Sequence, residues 1–146
     1  AGSVDAIAAS EPTPSLVEMK GGRQLLTFGG LGNLYPIVML ARSGFLEERE
    51  PEILRFIQVL RTAETFVREY PAETALLLSK ATGLPPDVAR EAMKRHTYGL
   101  VMDASILESL RKTAKFLAEQ QTLPMIVDPA AAMTDRFLVT EPIDPK

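Results

Sequence analysis

The apolar positions change period near residue 43. Before it they fall in three short runs: residues 3–9, 23–28 and 36–42. Runs of this length, bounded by glycine, proline and polar residues, read as buried strands. Pro36 is tolerable at the first position of the third run. Ile37-Val38-Met39-Leu40-Ala41 is almost unbroken, which suits a central parallel strand covered on both faces. Between the first two runs, Thr13 and Pro14 suit the start of a short helix and Gly21-Gly22 its end. The order is strand, helix, strand, loop, strand, an α/β signature.

Beyond Ser43 the period becomes helical. Pro51 marks a start, and Ile53, Ile57, Leu60, Ala63 and Val67 share a face. Leu54, Phe56, Val59 and Phe66 form a second stripe, which predicts cover on more than one side. Tyr70-Pro71 ends this helix and opens the next, which holds Leu76-Leu77-Leu78 and closes at Gly83. Pro86 and Asp87 open a third, ending near Arg95. Asp103 is a suitable N-cap for a longer helix with Ile106, Leu110, Ala114 and Leu117 on one face. Asp128-Pro129 predicts a last short helix over residues 130–137. The final residues, 139–146, carry no packing pattern and read as a mobile tail.

Composition narrows the function classes. The 146 residues are 46% hydrophobic and 24% charged, ordinary for a globular chain long enough to bury a core. The net charge of −3 leaves no basic surplus for phosphates, which disfavours nucleic acid as a partner. Cysteine is absent. That excludes disulfides and thiolate metal sites, and it is compatible with an oxidising compartment. No segment approaches the run of about 18–20 apolar residues needed to span a bilayer. Residues 1–10 lack the basic start and long apolar core of a signal peptide. The chain opens on a strand pattern with no preceding cap or turn, as if in mid-domain.

Candidate chemistry is sparse. His96 is the only histidine. It has no second ligand at fixed spacing and sits at a predicted helix end, where a cation suits the dipole. Gly29-Gly30-Leu31-Gly32-Asn33 lacks the Lys-Ser/Thr ending of a phosphate loop and leads to a strand pattern, so it reads as a flexible crossover. No nucleophile–base constellation and no Gly-x-Ser-x-Gly elbow appear, which argues against an enzyme. Glu11 is the sharpest polar candidate. It reads either as a ligand contact at a strand end or as a group that caps the backbone near Pro12.

Five signals occur in order: Gly2-Ser3-Val4-Asp5-Ala6, Glu11-Pro12, the glycine-rich loop before Tyr35-Pro36, Tyr70-Pro71-Ala72-Glu73, and Gly83-Leu84-Pro85-Pro86-Asp87-Val88-Ala89. Together, over roughly residues 2–133, they resemble the later half of the substrate-binding proteins of ABC importers. The branch is the one that includes sulfonate, taurine, nitrate and thiamine-precursor binders. Two positions depart from that pattern: Ser10 stands where an aromatic residue is common, and Tyr70 where an asparagine cap is usual. The resemblance implies an α/β fold, a periplasmic-binding-protein-like (type II) fragment. Its short, mostly parallel sheet would be flanked by helices, with a helical C-terminal half. Residues 1–34 would then be the end of one lobe and a glycine-rich crossover, and residues 35–138 the remainder of the α/β lobe, mostly helical.

The implied function is capture of a small, sulfonate- or nitrate-like solute in an interlobe cleft by the solute-binding component of an ABC-type importer. Ser10, Glu11, Asn33 and Tyr35 would line this part of the site, with no cofactor and no metal. The implied partners are the solute and the permease subunits. Self-association through unpaired strand edges is a further expectation. The location would be periplasmic or extracytoplasmic, with the signal segment outside this chain. Two other readings stay open: a ligand-sensing module of the same fold attached to a signalling protein, and a small α/β enzyme using Glu11 as a base.

Overall fold

Proline and glycine set the helix boundaries. The computed structural model describes residues 4–29 and 32–138. Six helices occur among them: α1 (Thr13–Met19), α2 (Ser43–Glu48), α3 (Glu50–Glu69), α4 (Pro71–Thr82), α5 (Pro86–Lys94) and α6 (Ala104–Glu119). A single 3-10 turn, Pro129–Ala132, follows. Pro14, Pro51, Pro71 and Pro86 all fall at the first or second helical position, where a missing N–H costs nothing. Asp103 caps α6 by accepting from the N–H groups of Ser105 (2.9 Å) and Ile106 (3.0 Å). Asp128 caps the 3-10 turn through the Ala130 N–H. That turn is shorter than the helix expected over residues 130–137. Tyr70 makes no side-chain cap to α4, which starts on Pro71 alone.

Two C-terminal stops differ in mechanism. α4 ends on Gly83, in the left-handed region at φ 76°, with its N–H on Ser79 O (2.8 Å). α1 ends in a paired closure. Gly21, at φ 87°, donates to Glu18 O (2.9 Å), and Gly22 donates to Val17 O (2.8 Å), the two bonds of a Schellman motif.

The chain forms two units. The first takes the described residues up to 27 and residues 63–98; the second takes the remainder. In the first, α4 packs on α5 and α1 also packs on α5. Ala75, Ala89 and Met93 form a buried cluster there, with Val67 of α3 packed against it. In the second unit α6 packs against the 3-10 turn, and Arg111 pairs with Asp128 across that contact at 3.1 Å. Ile57, Ala114 and Phe137 are the buried apolar residues of this unit. Arg136 lies over the Phe137 ring (4.5 Å) and donates to Leu46 O at the end of α2 (2.9 Å). No described helix is long and apolar enough to cross a membrane.

The expected α/β architecture is not found. Among the described residues there is no strand and no sheet, so the mostly parallel sheet flanked by helices is overturned. The reason lies in what a strand requires. Extended backbone has to give its N–H and C=O groups to a neighbouring strand, and an unpaired run gains no sheet stability. Residues 4–9, 23–28 and 36–42 form no ladder with one another. The third run is also not buried: Ile37 is 92% and Leu40 91% exposed. The second stripe of α3 is uncovered too, with Phe56, Val59 and Phe66 exposed. The opening residues Gly2 and Ser3, the centre of the glycine loop at Gly30 and Leu31, and the tail at 139–146 lie outside the described residues.

The two stops predict a contrast. A Cβ at Gly83 meets nothing within 4 Å, so Gly83→Ala should cost only the left-handed backbone term, about 1–2 kcal/mol. A Cβ at Gly22 overlaps Val17 Cγ1 and lies 2.8 Å from Val17 O. Gly22→Ala should therefore destabilise more, by opening the α1 terminus. Urea unfolding of both variants checks the order, and equal losses would contradict it.

Candidate functional site

In the first unit the polar centre is Arg95, immediately after α5. Its Nη1 donates to Glu11 Oε1 at 2.8 Å, and its Nη2 donates to Glu18. Glu11 precedes α1 and Glu18 lies in its last turn. One guanidinium fork therefore ties both ends of α1 to the end of α5, an arrangement that suits the planar geometry of arginine. The Glu11 side chain is only 9% exposed. Burial pushes its carboxyl up, but contacts from Ser15 and Arg95 outweigh this and hold it below the usual carboxylate range. The Ser15 N–H donates to Glu11 Oε2 at 3.4 Å. The Ser15 hydroxyl lies near enough to favour the charged carboxylate, yet it is buried without a partner in full hydrogen-bond geometry. Ser10 is exposed, and its carbonyl accepts from Thr13 N at 3.2 Å as the chain turns into α1.

Beside this cluster is an open hollow of about 140 Å³ lined by Ser15, Glu18, Met19, Asp87, Val88 and Glu91. Each of its carboxylates already has a cation: Arg95 for Glu18, Arg90 for Asp87 and Lys94 for Glu91. His96 turns Nδ1 to Ala92 O at 2.8 Å, so its ring satisfies a carbonyl of the last turn of α5. No described group of histidines and carboxylates could hold a metal ion.

The second unit carries Asn33 and Tyr35. The Asn33 Oδ1 accepts from Ser109 Oγ (2.7 Å) and from Tyr35 N (2.9 Å). Its Nδ2 donates to Thr113 Oγ1 (2.9 Å). Ser109 Oγ accepts from Leu34 N (2.9 Å), and Thr113 Oγ1 donates to Ser109 O (3.1 Å). Ser109 and Thr113 are one turn apart on the same face of α6. The bond from Tyr35 N to the asparagine two residues earlier is an Asx turn. It holds Tyr35 in the left-handed region at φ 50°. A side chain there costs about 1–2 kcal/mol, and Tyr35 is 82% exposed.

Of the four residues expected to line a site, the structure joins Ser10 to Glu11 in one unit and Asn33 to Tyr35 in the other. Ser10 and Tyr35 present free-standing side chains; Glu11 and Asn33 are engaged by helices. The sequence reading missed Arg95, Ser109 and Thr113. Ser109 and Thr113 did leave a trace: two hydroxyls four residues apart beside the apolar stripe of α6.

No family model and no solved structure matches the chain. It is similar to a protein of Bacillus subtilis (strain 168) named "Putative aliphatic sulfonates-binding protein", at 30% identity over 139 residues. The likeness covers 94% of this chain and 42% of that protein, so the chain spans about two fifths of its relative's length.

The Arg95 cluster predicts a pH signature. The folded Glu11 carboxyl is held below its ordinary value. Its contribution is therefore fully present above that value and lost as pH falls through the depressed one. Glu11→Gln should lose about 1 kcal/mol near neutral pH. The gap to the parent chain should close in acid, where both side chains are uncharged. Denaturant melts across that range check this; a gap independent of pH would assign the loss to packing.

Proposed function

We propose that this chain is part of the solute-binding component of an ABC-type importer that holds a small organic anion of the alkanesulfonate class. The observation that carries the reading is the likeness to a sulfonates-binding protein along 94% of the chain. The side-chain chemistry is compatible with it. A sulfonate is an anion with three acceptor oxygens, and a site for it needs positioned O–H and N–H donors more than it needs a buried charge. Ser10 and Tyr35 supply exposed hydroxyls. Glu11 and Asn33 fix the turns that carry them. Glu11 shares its charge with Arg95, which lowers its repulsion of an anion. Capture takes place in the periplasm or another extracytoplasmic space, and permease subunits receive the solute.

Calorimetry on the full-length protein tests this. Ethanesulfonate and butanesulfonate should give saturable binding. Tyr35→Ala should weaken it by about tenfold, a loss of roughly 1.4 kcal/mol. Absence of saturable heat with every alkanesulfonate tried would overturn the reading.

A further inference from the structure

We propose that Ser109 and Thr113 are positioning residues for solute recognition. Through Asn33 they hold Tyr35 in its left-handed conformation with the ring turned to solvent, as a preformed wall for the aliphatic part of the ligand. The inference rests on the reading of the chain as a solute binder and adds the residues that set the geometry of its aromatic contact.

Three observations carry it. The first is the cost of the Tyr35 conformation. A loop that had only to turn would place glycine at φ 50°, since glycine enters the left-handed region without strain. Here the position holds a tyrosine, followed by Pro36, which restricts the preceding residue to extended backbone. Strain of this kind persists only where surrounding contacts enforce it.

The second observation is the source of that enforcement. Ser109 is 2% exposed, and a buried hydroxyl in a helix face needs a partner. It has two, both in the loop: Leu34 N–H as donor and Asn33 Oδ1 as acceptor. Thr113 holds the other end of the same amide. Lys112, on the same stretch of α6, reaches Gly32 O at 3.4 Å. The loop is thus clamped on both sides of Asn33.

The third is what the clamp presents. Tyr35 is 82% exposed, so its placement contributes almost no apolar burial within the chain. A backbone held at this angle with an uncovered side chain suits an external contact, where fixing the loop beforehand lowers the entropic cost of binding.

The test has two arms. The chain has no tryptophan, so Tyr35→Trp places one fluorescent reporter in the loop. Adding Ser109→Ala, or Thr113→Val if the first variant fails to fold, should lower its fluorescence anisotropy without any ligand. Unchanged anisotropy overturns the clamp. In the second arm, calorimetry of the full-length protein with butanesulfonate should show Ser109→Ala weakening binding by about tenfold, and this loss should vanish in a Tyr35→Ala background. An equal loss in both backgrounds means a general structural effect and overturns the inference. A loss for Tyr35→Ala but none for Ser109→Ala overturns it while leaving the solute-binding reading intact. No effect of Tyr35→Ala removes Tyr35 from the solute and overturns the inference together with that contact.

Discussion

The close approach of α4 and α5 rests on alanine, and the ordering of α1 follows from it. Ala75 and Ala89 are each 2% exposed, and side chains this small let two helices meet with little to interlock. Met93 fills the remaining space, as an unbranched thioether readily does. With α5 fixed on α4, its last residues are fixed too, and Arg95 projects from that end. Its two carboxylate bonds then hold α1 at both ends. A seven-residue helix is too short to persist in water by itself. α1 therefore depends on a partner, and through α1 so does the turn at Ser10.

The second unit solves a similar problem mainly with neutral groups, Lys112 on Gly32 O being the charged exception. A loop without secondary structure has to place its backbone N–H groups somewhere. Leu34 gives its N–H to Ser109 and Tyr35 gives its own to Asn33. Because these bonds involve no ionised group, they hold across a range of pH and salt in which the Arg95 cluster weakens. The two candidate patches thus sit on supports of different chemistry.

What could be read from the sequence follows the range of the interactions. Helix starts at Pro71 and Pro86, the stop at Gly83 and the cap at Asp103 depend on residues within one turn of each other, and all four occur as read. The strands do not. An apolar run such as Ile37–Ala41 satisfies the strand pattern, but the pattern contains no information on whether a neighbour exists to pair with. The site was legible in the same uneven way. Glu11 stood out as a carboxylate beside a proline, yet its partner is Arg95, 84 residues away. Asn33 stood out as the end of a glycine loop, yet its meaning comes from Ser109, 76 residues on. Long-range pairs of this kind leave no local period.

The exposed apolar runs also bear on how long the chain survives. Proteases bind substrates as extended backbone and cut poorly within helices, so accessible extended stretches are the usual sites of nicking. Residues 23–28 and 34–42 combine exposure with the absence of helix. Arg23 opens the first and Arg42 closes the second, both exposed and both suited to a trypsin-like specificity pocket. Exposed and free of helix, these two stretches, rather than the helices, are where a protease would first cut this chain.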